Sequence, residues 1–119
     1  MRAWGLIFIP ESDWKIFRQL HPIALERYCK QVLSDIERIR SNASKSPHHR
    51  YLDIFALVRD RDKELATLFG DMRRSTARFQ LSLIHSRGLL TEDELRHFSP
   101  ETRQMISALA NESHLTRSR

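Results

Sequence analysis

Tyr51, Val58, Leu65, Met72 and Phe79 recur every seven residues, and Ile54 with Phe55, Leu68 with Phe69, and Leu83 fill neighbouring positions of the same stripe. A seven-residue apolar repeat marks a helix that buries one seam. The register survives Gly70, so the pattern predicts one continuous helix over residues 48–87, about 60 Å long at 1.5 Å per residue. The competing reading divides it at Gly70-Asp71, with glycine as the stop and aspartate as the next cap. A break that short does not easily reverse a chain, which favours continuity.

Upstream, Leu25, Tyr28 with Cys29, Val32 with Leu33, Ile36 and Ile39 recur at steps of three and four. They predict a second amphipathic helix over residues 22–40. Before it, Trp14, Phe17 and Leu20 mark a shorter helix capped by Ser12 or Asp13. That helix stops or kinks at His21-Pro22, because the residue before a proline disfavours helical dihedrals. Residues 41–47 are polar and rich in breakers, and suit a connection between antiparallel helices. Residues 2–9 are apolar and read as a short extended arm or edge strand that lies along the helices or crosses to another subunit.

Gly88 ends the long helix, with Arg87 in its last turn. Thr91-Glu92-Asp93-Glu94 has the hydroxyl and carboxylate of a capping box and opens a short helix through Leu95 and Phe98. Ser99-Pro100-Glu101 opens another, with Met105, Ile106 and Leu109 facing inward. The expected fold is all-α: a helical bundle built on a long antiparallel helical hairpin, with a short apolar N-terminal arm and two short C-terminal helices. One domain is expected over residues 1–110, with residues 111–119 as a flexible polar tail.

Composition narrows the picture little. Hydrophobic residues make up 40% of the 119 and charged residues 29%, which fits a folded helical domain and not a disordered chain. The lone Cys29 excludes an internal disulfide framework, and the simplest home is the reducing cytoplasm. The N-terminal apolar run is short and ends in Pro10-Glu11-Ser12-Asp13, unlike a signal peptide. No stretch approaches the ~20 apolar residues of a membrane span.

The formal charge is +5, with eight Lys/Arg against five Asp/Glu in residues 1–46, the same in 47–90, and four against five in 91–119. Two basic clusters follow. Arg38, Arg40, Lys45, His48, His49 and Arg50 gather at the tip of the expected hairpin, and Arg73, Arg74 and Arg78 lie along the second half of the long helix. Arg74 and Arg78 would share one face. Such clusters suit phosphate or an acidic partner, although no aromatic residue interleaves for base stacking except Tyr51, which reads as core. In the run Arg59-Asp60-Arg61-Asp62-Lys63-Glu64, spacing three pairs Arg59 with Asp62 and Asp60 with Lys63, with Asp62 partly buried.

Chemistry is sparse. Glu94 and His97 form a single Glu-x-x-His, where a di-iron bundle needs two copies and two further glutamates. Cys29 reads as a core thiol. No phosphate loop or nucleophile elbow occurs. The two C-terminal helices could imitate a helix-turn-helix, but their region is net negative. No metal, cofactor, membrane or small-molecule substrate is implied.

A helix of ~20 residues covers only half of a 40-residue partner, so an apolar stripe is left for another surface. The expected function is therefore a non-enzymatic interaction module, homodimeric or bound to a protein partner through Trp4, Ile7, Phe8, Met72, Phe79 and Leu83. The alternative is a basic nucleic-acid binder that uses the two cationic clusters.

Overall fold

The computed structural model describes residues 9–117, with side chains over residues 9–109. Every regular element among them is helical: α1 (Glu11–Arg40), α2 (Pro47–Phe69), α3 (Ala77–Ser86), α4 (Glu92–Leu95) and α5 (Pro100–Arg117). The N-terminal arm, with Trp4, Ile7 and Phe8, lies outside the described residues. The molecule is long, with principal extents of 59 × 33 × 25 Å and a radius of gyration of 17.0 Å. A compact chain of this length would have about 13–14 Å.

The two upstream helices expected from the sequence are one. α1 runs unbroken through Pro22. Proline removes one backbone donor and crowds the preceding turn. Burial outweighs that cost: Asp13, Phe17, Leu20, Ala24 and Tyr28 are all buried, at steps of four, three, four and four, on one face. Pro22 itself is exposed.

Asp13 does not cap α1, which begins at Glu11 without a side-chain cap. Its carboxylate is 1% exposed and serves α5 instead. It accepts from the Ser99 N–H at 2.9 Å, from the Ser99 hydroxyl at 2.7 Å and from the Thr102 hydroxyl. A carboxylate at a helix N-terminus satisfies orphan donors and meets the positive end of the helix dipole. The first turn of α1 is thus tied to the start of α5, 86 residues later.

The expected long helix is two. α2 ends at Phe69, and α3 begins at Ala77. Gly70 is extended, and a Cβ there would sit 2.6 Å from the Ala66 carbonyl oxygen. Asp71 follows at φ 49°. The three carbonyls left at the end of α2 find side chains from distant elements. Gln80 Nε2 donates to Gly70 O at 2.6 Å and reaches Leu68 O at 3.4 Å, while His21 Nε2 donates to Phe69 O at 2.9 Å. Buried backbone groups must be paired, and here the pairing is what lets α2 stop.

Downstream the local signals hold. Gly88 at φ 73° closes α3, with Gly88 N–H on His85 O and Leu89 N–H on Ile84 O. That is the bonding of a Schellman motif. The Thr91/Glu94 capping box forms. Ser46 caps α2, with Pro47 in its first turn. The α5 backbone stays helical to Arg117, past the point where the polar pattern places the end.

α1 and α2 lie side by side and run in opposite directions, with His21 at Phe69, Tyr28 at Arg61 and Arg40 at Arg50. α3 to α5 fold against only one end of this pair. The core joins Phe17, Leu20, Ala24 and Tyr28 to Leu68 and Phe69 and to Leu81, Ile84, Phe98 and Ile106. Between Tyr28 and Leu68 no residue is buried. The molecule therefore has a packed base and a two-helix arm without a core.

Asp13→Ala should cost about 2–4 kcal/mol, because it removes the one carboxylate that accepts from three donors of the α5 start. Urea unfolding followed by circular dichroism measures it, and a loss under about 0.5 kcal/mol would contradict this role for Asp13.

Candidate interaction surface

On each helix of the arm the apolar positions cover a wider arc than one neighbouring helix can bury. Val32, Ile39, Ile54 and Leu65 are partly buried, and Val32 and Leu65 also line the groove described below. Cys29, Leu33 and Ile36 of α1, with Tyr51, Phe55, Val58 and Asp62 of α2, lie one step round, on a shared outer face. Because α1 and α2 are antiparallel, their register brings these positions level in rungs: Cys29 with Asp62, Leu33 with Val58, Ile36 with Phe55, and Arg40 with Tyr51.

Between the rungs lies an open groove of about 320 Å³, whose lining includes Cys29, Leu33, Ile36, Val58 and Asp62. Leu33 is 65% exposed, Tyr51 64%, Phe55 57% and Val58 44%. Four large side chains at this exposure make an apolar patch on the order of 500 Å², as large as the functional patches of monomeric proteins.

Ion pairs also run along the arm, and Arg61 of one of them lines the groove. Asp35 meets Arg38 at 2.6 Å and Arg61 at 2.9 Å, and the two guanidinium groups hold its carboxyl below the usual range. Lys45 reaches Asp53 at 2.7 Å.

Where the arm meets the base, the buried Tyr28 hydroxyl donates to Glu64 Oε1 at 2.7 Å and also lies 3.0 Å from Arg61 O. Burial, then the Glu64 carboxylate, pushes the Tyr28 pKa up. Arg87 of the α3–α4 turn bonds Glu64 at 3.1 Å, with its guanidinium 6.0 Å from the centre of the Tyr28 ring. Nearby, Arg27 clasps Glu94 through both nitrogens, at 2.7 and 2.8 Å, and a third bond reaches Leu89 O at 2.8 Å. These groups weld α1 and α2 to the base at one level and leave everything beyond free.

The basic tip expected from the sequence is assembled, but most of its cations are engaged by the chain itself. Arg38 pairs with Asp35, Arg40 bonds both oxygens of Glu37 at 3.2 Å, and Lys45 pairs with Asp53. Arg50 donates to the Arg40 carbonyl. His49 receives and returns bonds with Ser46, and His48 stacks on His49 with ring centres 6.3 Å apart.

The second cluster is divided by the break at Gly70. Arg73 bonds Asp71 at 2.9 Å in the turn, and Arg74 bonds Glu11 at 3.0 Å and Ile9 O at 2.9 Å. Arg78 lies on α3, half-buried, so Arg74 and Arg78 do not share a helix face. Its Nε and Nη1 have no hydrogen-bond partner among the described residues, and burial, opposed by Glu101, holds its pKa below the usual value.

The expected apolar interface is redistributed as well. Met72 and Leu83 pack against the base core, while Phe79 is 58% exposed. Tyr51, read from sequence as core, is exposed, and so is Asp62, read as partly buried. Arg59 pairs with Asp60 rather than Asp62. Leu33, Phe55 and Val58 went unassigned as a surface, although the excess width of the apolar arc is visible in the sequence.

No cluster of metal-ligating residues occurs among the described residues, and no described helix is long and apolar enough to cross a membrane. Compared with protein-family models, curated proteins and solved structures, the chain matches none.

Arg27, with help from the Thr91 backbone, holds Glu94 at a pKa of about 2 against partial burial, which pushes the other way. A depressed carboxylate contributes stability that is fully present above its unfolded pKa and lost as pH falls through its folded one. Glu94→Gln should therefore be less stable than the parent at pH 7, with the difference shrinking between about pH 4.5 and pH 2. Urea midpoints across that range measure it, and a gap that does not change with pH would refute the assignment.

Proposed function

We propose that this protein is a non-enzymatic helical interaction module that docks a protein partner on the outer face of its α1–α2 arm. The observation that carries this reading is the arm itself: two helices with no buried residue between Tyr28 and Leu68, bearing Leu33, Phe55 and Val58 in the open. Helices in proteins owe most of their stability to packing of an apolar face, and this face has no neighbour among the described residues. An antiparallel hairpin that projects from a bundle offers its rungs to an apolar surface as a ready-made half of a helical bundle.

The ion pairs at the tip support a protein partner over a nucleic acid. Arg38, Arg40 and Lys45 each lie beside a carboxylate of this chain, which lowers the net positive charge that the tip offers a phosphate.

The test compares the parent with Leu33→Ser/Phe55→Ser. Both positions are exposed, so stability should change by no more than about 0.5 kcal/mol. In quantitative affinity enrichment, the proteins retained by the parent should be lost from the variant. Equal retention by the two would reject the face. Anisotropy of labelled mixed-sequence RNA and duplex DNA covers the alternative: no binding is expected even at low salt. Micromolar binding that weakens steeply with salt would replace this reading with the nucleic-acid one.

A further inference from the structure

We infer that residues 70–76 are a hinge, and that two copies of this chain exchange α3–α5 across it to form a domain-swapped dimer. In the exchanged form α2 and α3 are one helix, and each base is completed by α3–α5 of the partner. Both forms carry the outer face of the arm, so the inference stands apart from the docking reading.

The bent chain interrupts a pattern that is continuous. Tyr51, Val58, Leu65, Met72 and Phe79 keep their seven-residue spacing across Gly70. A connection that served only to turn the chain would have no need of that register. The bent form also leaves the pattern partly unused: Leu65 and Met72 pack against the core, but Phe79 is 58% exposed.

The bend is strained. Asp71 stands at φ 49°, where a side chain crowds its own backbone. Among the described residues, no backbone N–H from 71 to 75 has a hydrogen-bond partner. In a continuous helix these five would donate to the carbonyls of residues 67–71. Leu68 O, Phe69 O and Gly70 O are among those carbonyls, so straightening replaces their side-chain donors with backbone ones. It forfeits the Gln80 and His21 bonds, the exposed Arg73–Asp71 pair, and the Arg74 bonds to Glu11 and Ile9 O. Gains and losses are both confined to the hinge and its few neighbours.

The partner follows from what straightening uncovers. Phe69 is level with His21, so a straight helix would carry Leu81 and Ile84 past Glu11, the first residue of α1. Those two side chains, with Leu89, Phe98 and Ile106, are at most 2% exposed in the bent form. The surface they leave is Phe17, Leu20, Ala24 and the Asp13 carboxylate that binds Ser99 and Thr102. A second copy presents that same surface, so exchange restores each buried contact with its own complement. The contacts that select the partner are those that already close the single chain.

The geometry closes as well. Gln80 is level with Gly70, and Arg87 with Glu64, so α3 runs antiparallel to the end of α2. Held at those levels between copies, the two long helices lie antiparallel about a twofold axis near residue 75, within the hinge. Short connections under strain favour such exchange.

Sedimentation equilibrium of the full chain, unfolded in urea and refolded at high concentration, tests the hinge. The parent should populate a dimer beside the monomer. Gly70→Ala should tighten the dimer about tenfold or more. A Cβ there meets the Ala66 carbonyl oxygen at 2.6 Å in the bend, and alanine favours the helix. Asp71→Gly should loosen the dimer about tenfold, since glycine relieves the left-handed position and weakens the helix. Each change acts twice per dimer.

The Arg27–Glu94 clasp tells exchange from face-to-face docking. It joins α1 to α4 within a chain in the bent form, and between chains in the swapped one. Arg27→Glu and Glu94→Arg each set like charges against one another. Unfolded together and refolded, the two variants should form a heterodimer in which every clasp again joins opposite charges. Native mass spectrometry should find it in about tenfold excess over statistical mixing. The mixing is run on both the parent and the Gly70→Ala hinge, so its outcome does not hang on the folding of one variant. A statistical mixture of dimers would overturn the exchange. So would chains that are folded and monomeric throughout, or a folded Gly70→Ala that dimerises less than the parent.

Discussion

Three consecutive carbonyls at the end of α2 set the shape of this molecule. If Leu68, Phe69 and Gly70 had no side chains to receive, the apolar repeat would carry α2 onward into α3. Gln80 and His21 supply those donors, and Gly70 fits a backbone path on which any Cβ would strike the Ala66 carbonyl. The chain turns, and α3 and α5 are delivered to the base. Once they pack there, they are no longer available to cover the arm. The exposed face is the geometric consequence of where the helix stops.

Stability is correspondingly uneven. The base concentrates the buried aromatic side chains: Phe17, Tyr28, Phe69 and Phe98 are all closed off from solvent. Phe17, His21, Phe69 and Tyr28 follow one another through ring contacts with centres 5.4–5.8 Å apart. Asp13 and the Arg27–Glu94 clasp add polar ties of long sequence separation. The arm has helix-on-helix contact and solvent-facing ion pairs of small individual worth. Opening free energy should fall from the Tyr28 level toward the loop at residues 41–46, since few buried contacts hold that end.

The sequence was legible where one residue determines its own surroundings. The Thr91/Glu94 box and Gly88 after α3 rest on local chemistry, and they form as expected. Pro22 misleads because its local penalty is outweighed by Phe17, Leu20, Ala24 and Tyr28, which bury against elements distant in the sequence, the Tyr28 hydroxyl reaching Arg61 33 residues on. Gly70 misleads because the donors that end α2 come from His21 and Gln80, which no window around residue 70 weighs against the repeat. The surface was half legible. The basic tip is plain in the sequence, and so are Asp35, Glu37 and Asp53, which engage its cations from three to eight residues away. The seven-residue repeat was the clearest pattern, yet it marks the outside of the arm as much as its seam: Tyr51 and Val58 are exposed while Leu65 packs inward. Periodicity reports that a face is apolar, not what covers it.

A shaft without a core has one more property. Beyond the level where Tyr28 meets Arg61 and Glu64, the two helices and their loop touch no other described element that fixes how many residues they contain. Seven residues are nearly two whole helical turns, so cutting or adding seven in each helix would return every rung to the same bearing. The base would not register the change. Arm length is therefore a free dimension of this architecture, and reach can vary without any redesign of the part that holds the molecule together.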